Sequence, residues 1–162
     1  MPNPKPERPD IPSTYGFTAS TPHTPPTWDS ITASIHGSRN YWICSVSPDG
    51  SPHALPVWGV WFDDHLYFVT KRASKKARNL LINPRVAIHL ESGDDVVSFQ
   101  GVVVEVADPE RLAQIAAVYA TKYSGDEIYP EIEAVFELRP RLAFTWLESS
   151  YHQTATRWRF EE

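Results

Sequence analysis

The stretch LYFVTKRASKKARNLLINPRVAI, residues 66–88, has the pattern of a strand, a loop, a short helix and a second strand. Ser74 is a suitable N-cap for the helix, and Asn83-Pro84 ends it because the residue before a proline avoids helical dihedral angles. The apolar stripe of this helix consists of Ala77, Leu80 and Leu81. Five of the fifteen Lys and Arg residues of the chain lie within 71–78. The stretch therefore predicts positive charge gathered at a helix start.

This charge cluster is suited to a small anion. A phosphate is bound best by the free N–H groups of a helix N-terminus together with Lys or Arg side chains. The segment Ser74–Arg78 supplies a hydroxyl, N–H groups and cations in this arrangement. From spacing alone, a solvated charged face on a surface helix remains the alternative.

Strand patterns lie on both sides of this unit. Upstream, Tyr41–Ser47 and His53–Phe62 flank the turn PDGS, and a second turn at Asp63–Asp64 leads into His65–Thr70. The strands predicted downstream are Arg85–Leu90, Val96–Val106, Arg141–Leu147 and Thr156–Phe160. Gly101, inside the second of these, predicts a bulge or a sharp bend. Together they predict a mainly β fold, in which about six or seven antiparallel strands close into a small barrel.

Few helices accompany these strands. Trp28–His36 follows the N-cap Thr27 and has Trp28, Ile31 and Ile35 on one face. Arg111–Tyr123 follows Asp108-Pro109, a typical N-cap and first helical residue. Glu127–Phe136 reads as a weaker helix that Pro130 interrupts.

The predicted strand His53–Phe62 is apolar on both faces. Leu55, Val57 and Trp61 share one face, and Trp58, Val60 and Phe62 share the other. A strand of this kind is covered twice, once by its own core and once by another body. A partner subunit and a flat ligand are the two candidates for that second cover.

The first 27 residues differ from the remainder. They contain eight of the fifteen prolines, which excludes a continuous helix or a central strand. We therefore divide the chain into an extended or disordered Pro-rich arm, 1–27, and a single domain, 28–162. Tyr15 and Phe17 are the large aromatic residues available to anchor the arm.

Composition excludes several classes of protein. The net charge of −5 argues against general nucleic-acid binding, which requires a basic surface. Neither a membrane-spanning run nor a signal-peptide h-region is present, so we expect a cytoplasmic location and no membrane partner. The single Cys44 lies in an apolar stretch and is interpreted as core filler. The six histidines show no metal-binding spacing, so no metal site is predicted.

The order of these motifs resembles the pyridoxamine 5′-phosphate oxidase-like superfamily. The resemblance covers about residues 28–160 and rests on PHALPVWGVW, on LYFVTKRASKKARNLLINPRVAI and on FQGVVVEV. It implies a split β-barrel that binds FMN or a deazaflavin, with a homodimer holding the cofactor at its interface. Where the pyridoxamine phosphate oxidases proper carry an Arg and a Lys, residues 55–61 are apolar. The resemblance therefore points to the cofactor rather than to vitamin B6 as substrate.

The same resemblance implies a set of cofactor-binding residues. Lys76 corresponds to the basic residue that binds the cofactor phosphate. The wall of the flavin ring corresponds to His53, Leu55, Pro56, Val57 and Trp58. A contact to the phosphate or ribityl chain corresponds to Thr70, and the phosphate-binding turn corresponds to Ser74 and Lys75. The pattern KxRNL, frequent in the deazaflavin-using branch, continues with Arg78 and Asn79, and Val69 completes the cofactor-binding set of this strand–loop–helix unit. Contacts with the cofactor of the partner subunit correspond to Trp146 and Arg157.

The functional expectation is an oxidoreductase that transfers hydride to or from FMN and acts on a small-molecule substrate. A coenzyme F-420-dependent reductase is the alternative, in which Lys71, Arg72, Lys75 and Arg78 would serve the polyglutamyl tail. A protein that binds or stores flavin or haem without turnover is a second alternative, and a non-enzymatic anion or nucleic-acid binder is a third. No side chain is a clear acid or base, so no catalytic residue is predicted.

Overall fold

The computed structural model describes residues 4–18 and 20–161. Its eight strands are β1 (Lys5–Glu7), β2 (Asn40–Val46), β3 (Pro52–Phe62), β4 (His65–Lys71), β5 (Arg85–His89), β6 (Asp95–Glu105), β7 (Glu133–Leu147) and β8 (Thr156–Arg159). The helices of this part of the chain are α1 (Trp28–Gly37), α2 (Lys75–Ile82), α3 (Pro109–Lys122) and α4 (Tyr151–Thr154), with short 3-10 turns at Ser13–Tyr15 and Glu148–Ser150. No helix in these described ranges is long and apolar enough to cross a membrane.

Six strands form a closed ring. The pairing order is β7-β4-β3-β2-β5-β6, and the additional pairing of β6 with β7 closes the barrel. Every pairing is antiparallel. β8 pairs with the second half of β7, and β1 adds to β8 outside the ring. The predicted mainly β, antiparallel split barrel is confirmed.

One predicted element is wrong. The weak helix over Glu127–Phe136 does not form, and Glu133 begins the fifteen-residue strand β7 instead. Along β7, Ala134, Phe136 and Leu138 point into the barrel core, which is the two-residue period of a strand. The predicted helix fails because β4 and β6 both pair with this segment, and that tertiary pairing outweighs weak local helix propensity.

The bulge predicted at Gly101 is confirmed. The register of β6 against β7 shifts between Gln100 and Gly101. A Cβ atom at Gly101 would lie 2.2 Å from the carbonyl oxygen of Arg139, so only glycine permits this approach. Pro140 of β7 lies opposite the bulge, where a missing N–H disturbs the ladder least.

Two apolar clusters explain why β3 is apolar on both faces. Val57 and Trp61 point into the barrel, where the main core also receives α1. Val60 belongs to a second cluster, in which Ile115 and Tyr119 of α3 pack on the outside of the barrel. The second cover over residues 58–62 is therefore a helix of the same chain, not a partner subunit or a ligand. The first half of β3 lacks this cover and is largely exposed.

The described part of the arm lies along the last strand. β1 pairs with β8, and the carboxylate of Glu7 accepts hydrogen bonds from Arg157 and Arg159. Phe17 packs edge-to-face on Tyr151, with their ring centroids 5.5 Å apart. Residues 1–3, Ala19 and Glu162 lie outside the described residues, and the division into an arm and a domain stays a prediction.

Candidate functional site

Helix α2 begins directly after β4, and its first turn is capped by a serine. The Ser74 hydroxyl accepts a hydrogen bond from the Ala77 N–H at 3.1 Å, as predicted for an N-cap. The Thr70 hydroxyl, at the end of β4, lies 3.1 Å from that of Ser74. The N–H groups of Lys75 and Lys76 belong to the first helical turn, where no intrahelical acceptor exists. The helix start therefore presents free donors next to two hydroxyl groups.

The face of α2 that packs on the barrel combines the apolar Ala77 and Leu80 with two polar residues. Lys76 is only 5% exposed and Asn79 only 3%, although both residue types usually lie at the surface. The side-chain amide of Asn79 donates to the hydroxyls of Ser45 and Ser47 at 3.3 and 3.4 Å. Ser45 lies near the end of β2 and Ser47 directly follows β2, so the hydrogen bonds attach α2 to this end of the barrel.

Lys76 is buried without a counter-ion. Within the described residues, its ammonium makes no ion pair or hydrogen bond, and burial lowers the pKa of Lys76 below its ordinary value. Removing an ammonium from water is costly unless an anion or hydrogen-bond acceptors replace the lost hydration. The fold therefore retains a desolvated positive charge that a bound anion would neutralise.

His53 presents a second unsatisfied group, which is connected to α2 through Ser45. It pairs with Ser45 across the β2–β3 ladder, and Ser45 in turn contacts Asn79 of α2. The Nδ1 atom of His53 is buried and has no hydrogen-bond partner among the described residues. A buried nitrogen of this kind usually has a partner, so this end of the barrel accommodates a polar group besides its own side chains.

The remaining cations of 71–78 differ from Lys76. Lys71 is paired with Glu133 at 2.7 Å, and Arg72 is paired with Glu105. The guanidinium of Arg78 donates to the carbonyl of Ala73. Lys75 is exposed to solvent. The positive charge predicted as one cluster is therefore divided between surface contacts and a single buried lysine.

The predicted ring-binding residues of β3 are separated by the alternation of the strand. Leu55 is 50% exposed and Pro56 is also exposed, so both are accessible next to His53. Val57 is buried in the barrel core. Trp58 stacks on Tyr123 with a centroid distance of 4.6 Å, and the Arg39 guanidinium lies 5.1 Å from its ring.

Three further predicted residues contact other parts of the fold. Val69 is buried beneath α3 in the second cluster. Trp146 packs edge-to-face on Tyr151 at the end of β7. Arg157 is engaged by Glu7 of the arm at 2.9 Å. Thr70 is therefore in contact with Ser74, Lys76 shares the buried face of α2 with Asn79, and Asn79 and His53 both adjoin Ser45. The three side chains Val69, Trp146 and Arg157 pack elsewhere in this chain.

Two serines of this site were missed in the sequence. Ser45 and Ser47 are buried, although they lie in a stretch that otherwise reads as an apolar strand. Ser45 lies on the inward face of β2, together with Tyr41 and Ile43, so a polar residue at a core-facing position was the available signal. The pairing with Asn79 depends on how α2 packs, which no local pattern encodes.

A cavity of about 500 Å³ lies on the outer surface of the barrel. Its walls include Val46 and Pro52, near the anion site, and Val102 and Leu142 further around the ring. Cys44 also lines this cavity, so it is not the core filler that its sequence context suggested. Burial raises the pKa of the Cys44 thiol, which disfavours the nucleophilic thiolate.

A comparison with protein-family models agrees with this architecture. The family model described as pyridoxamine 5′-phosphate oxidase matches residues 27–152. The chain belongs to the pyridoxamine 5′-phosphate oxidase family. The match includes the whole candidate anion site and leaves out β1 and β8. A comparison with curated proteins finds no match.

Several solved structures have a fold similar to that of this chain. The conserved hypothetical protein Rv2991 of Mycobacterium tuberculosis is 26% identical, with a TM-score of 0.67 over 83% of this chain and 91% of that one. An F-420 reductase is 21% identical, with a TM-score of 0.58 over 74% and 98% of the two chains. HutZ, the haem storage protein of Vibrio cholerae, is 18% identical, with a TM-score of 0.59 over 70% and 89%. The last two similarities concern the fold alone.

Proposed function

We propose that this chain binds FMN through its phosphate at the start of α2 and acts as an oxidoreductase on a small molecule. The largely buried side chain of Lys76 carries the proposal, since its ammonium lies at a helix start and has no counter-ion among the described residues. A phosphate with two negative charges would neutralise this ammonium and accept hydrogen bonds from the free N–H groups of the first turn. The family match supports the same reading.

The protein's own side chains would bind and orient this cofactor. Lys76 and the backbone N–H groups of α2 would hold the phosphate, while Thr70 and Ser74 offer hydroxyl groups beside it. Asn79 keeps the helix in position through Ser45 and Ser47. The exposed Leu55 and Pro56 supply an apolar edge against which a flat ring can pack. When bound, FMN supplies hydride-transfer chemistry, which no side chain of the chain provides by itself.

The charge distribution favours FMN over coenzyme F-420. The polyglutamyl tail of F-420 needs several free cations along a groove. Of the four cations that could serve such a tail, Lys71 and Arg72 are already paired with Glu133 and Glu105, which leaves only Lys75 and Arg78 beside α2. One buried lysine matches one terminal phosphate better than it matches a chain of carboxylates.

A homodimer is the second part of the proposal. Four large apolar side chains are exposed on β2, β3 and α2, the elements that build the anion site, namely Val46, Leu55, Leu81 and Ile82. Exposed apolar patches of this kind mark interaction surfaces. A second copy of the chain that covers them would also close the open side of the ring-binding edge.

Titration of purified protein with FMN, followed by flavin fluorescence, tests the phosphate assignment. Lys76→Met is expected to weaken FMN binding by about tenfold to a hundredfold, the usual effect of losing a charge-assisted contact. Circular dichroism should be unchanged, because this ammonium holds no other described group in place. Lys71→Met is the matched control, since it removes a nearby charge that Glu133 already pairs.

Each outcome has a distinct meaning. Equal FMN affinities for the wild type and Lys76→Met would refute the phosphate site. If the titration is repeated with F-420 and Lys71→Met loses more affinity than Lys76→Met, the result would favour the deazaflavin alternative. Adding NADPH to the FMN-loaded protein tests turnover, because reduction of the flavin lowers its absorbance. If the absorbance stays unchanged with NADPH and with other hydride donors, the chain would be a binding protein.

A further inference from the structure

A second cavity, distinct from the anion site, lies between the end of α1, β3 and α3. Its volume is about 250 Å³, and its walls are His36, Val60, Trp61, Val118, Thr121 and Lys122. We call it the Lys122 pocket. It lies on the opposite half of β3 from His53 and contains no residue of the proposed FMN site.

Lys122 supplies the charge of this pocket. Its ammonium donates to the hydroxyl of Tyr41 at 2.8 Å and to the carbonyl of Gly59 at 3.1 Å. Both acceptors are neutral, and within the described residues no carboxylate lies within 4.0 Å of the ammonium. An ammonium has three donor protons, so one remains for a further acceptor. Burial lowers the pKa of Lys122 to about 8, as expected for a cation without a counter-ion.

The ammonium is held in a fixed position. The Tyr41 hydroxyl donates onward to the carbonyl of Ile35 at 2.7 Å, and the Tyr41 ring lies 4.8 Å from the lysine nitrogen. Tyr41 is fully buried in the barrel core. A flexible surface lysine loses side-chain entropy when it binds an anion, whereas this one is already ordered.

The other walls are mostly apolar. Val60 and Trp61 are buried, and Val118 of α3 packs against the cluster that contains Val60. His36 and Thr121 lie at the exposed mouth. The pocket therefore combines one cationic point with an apolar interior, which suits a ligand that has a single anionic head and an apolar body.

The volume limits the size of that ligand. An engineered protein cavity of about 150 Å³ binds benzene. The Lys122 pocket, at about 250 Å³, has room for an aromatic ring with a short side chain. Extended cofactors and polyanions exceed this space.

We propose that the Lys122 pocket binds a small monocarboxylate with an apolar body, of the arylacetate type, whose carboxylate pairs with the ammonium of Lys122. This site would operate independently of the FMN site. A ligand here contacts Trp61 of β3 and Val118 of α3, so it would also link α3 to the barrel.

Isothermal titration calorimetry with phenylacetate on the purified full-length chain tests the proposal. Phenylacetamide, which has the same shape without the charge, is the matched ligand. We expect saturable one-to-one binding of phenylacetate and binding of phenylacetamide weaker by about tenfold or more. The titration is run with and without FMN, and the affinity for phenylacetate should be the same in both.

Four variants, one of them a distant control, locate the site. Lys122→Met should abolish phenylacetate binding and Lys122→Arg should restore part of it, whereas the distant Lys5→Met should have no effect. Val118→Phe retains the lysine but fills the cavity, and it should also prevent binding if Lys122→Met does not fold. The proposal is overturned if phenylacetate does not saturate, if both ligands bind equally, or if the affinity survives in Lys122→Met or Val118→Phe.

Discussion

At the scale of single residues, Lys76 and Lys122 differ from the surface lysines in how far the fold removes them from water. Lys76 and Lys122 both have a pKa lowered by desolvation, and neither has a carboxylate partner among the described residues. Lys71, in contrast, forms an ordinary exposed ion pair with Glu133. Exposed pairs contribute little to stability, whereas a buried unpaired charge is costly unless a ligand offsets it.

The pKa of Lys122 predicts a pH dependence of stability. Its folded value of about 8 lies below the ordinary 10.5, so between these values the unfolded chain binds more protons than the folded one. The free energy of unfolding therefore gains a contribution that rises with pH over this window. Urea unfolding at about pH 7.5 and about pH 9.5 should show this rise in the wild type and a smaller one in Lys122→Met.

Buried tyrosines set the highest pH at which this unfolding experiment reports on Lys122. Burial raises the pKa values of Tyr41, Tyr119 and Tyr123, so their contribution to stability falls with pH above the ordinary tyrosine value of 10.0. Lys71→Met is the control and should keep the wild-type rise. An identical rise in Lys122→Met would mean that this lysine is not responsible.

At the scale of elements, a hydroxyl group at the end of α3 adds to the apolar packing of this helix on β3. The Tyr123 hydroxyl accepts the N–H of Gly59 at 2.9 Å and lies 2.7 Å from the carbonyls of Gly59 and Arg39. Gly59 is also required on the side of β4, because a Cβ there would lie 2.5 Å from the carbonyl oxygen of Tyr67. The helix is thus bound directly to the backbone of the strand.

Tyr123→Phe should lower the free energy of unfolding by about 1–3 kcal/mol, because it leaves the buried N–H of Gly59 without an acceptor. Chemical denaturation followed by tryptophan fluorescence measures the change. Tyr15→Phe, at an exposed ring, is the control and should change stability by less than about 0.5 kcal/mol. A Tyr123→Phe value as small as that of the control would contradict this account of α3.

Elements also differ in how far local sequence predicts them. α2 was predictable because its N-cap, its apolar residues Ala77 and Leu80 and its terminating Asn-Pro are local signals. The predicted place of Leu81 in the apolar stripe is wrong, since Leu81 is 63% exposed. The first residues of β7 were not, because Glu133–Phe136 become a strand only when β4 and β6 pair with them. The same limit applies to Trp58, whose stacking on Tyr123 joins residues far apart in the chain.

At the scale of the whole molecule, the arm lies outside the closed ring. Deleting residues 1–20 should leave the barrel folded, because β1 pairs only with β8. The loss of this strand and of the Glu7 contacts to Arg157 and Arg159 should lower stability by about 1–3 kcal/mol. Circular dichroism and thermal unfolding measure both effects, with Glu7→Gln as a milder comparison. An insoluble product would show that the barrel requires the arm.

Assembly is the second property of the whole molecule. Val46 is 38% exposed and lines the outer cavity, so Val46→Glu would place a charge within the proposed dimer surface. We expect a dimeric wild type and a monomeric Val46→Glu in sedimentation velocity, with weaker FMN binding in the variant. Ile132→Glu, at an exposed apolar residue after α3, should remain dimeric. A wild type that stays monomeric with FMN bound would refute the proposed dimer.

The sequence by itself determined the barrel class, the capped helix α2, the bulge at Gly101 and the position of the basic residues. These features follow from short-range rules of capping, strand alternation and backbone freedom. Only the tertiary structure decided that Lys76 is buried while Lys71 and Arg72 are neutralised at the surface. It also decided that α3 covers half of β3 and encloses Lys122 with Tyr41. The reason is physical, since desolvation and counter-ions depend on which distant segments pack together, and no local pattern contains that information.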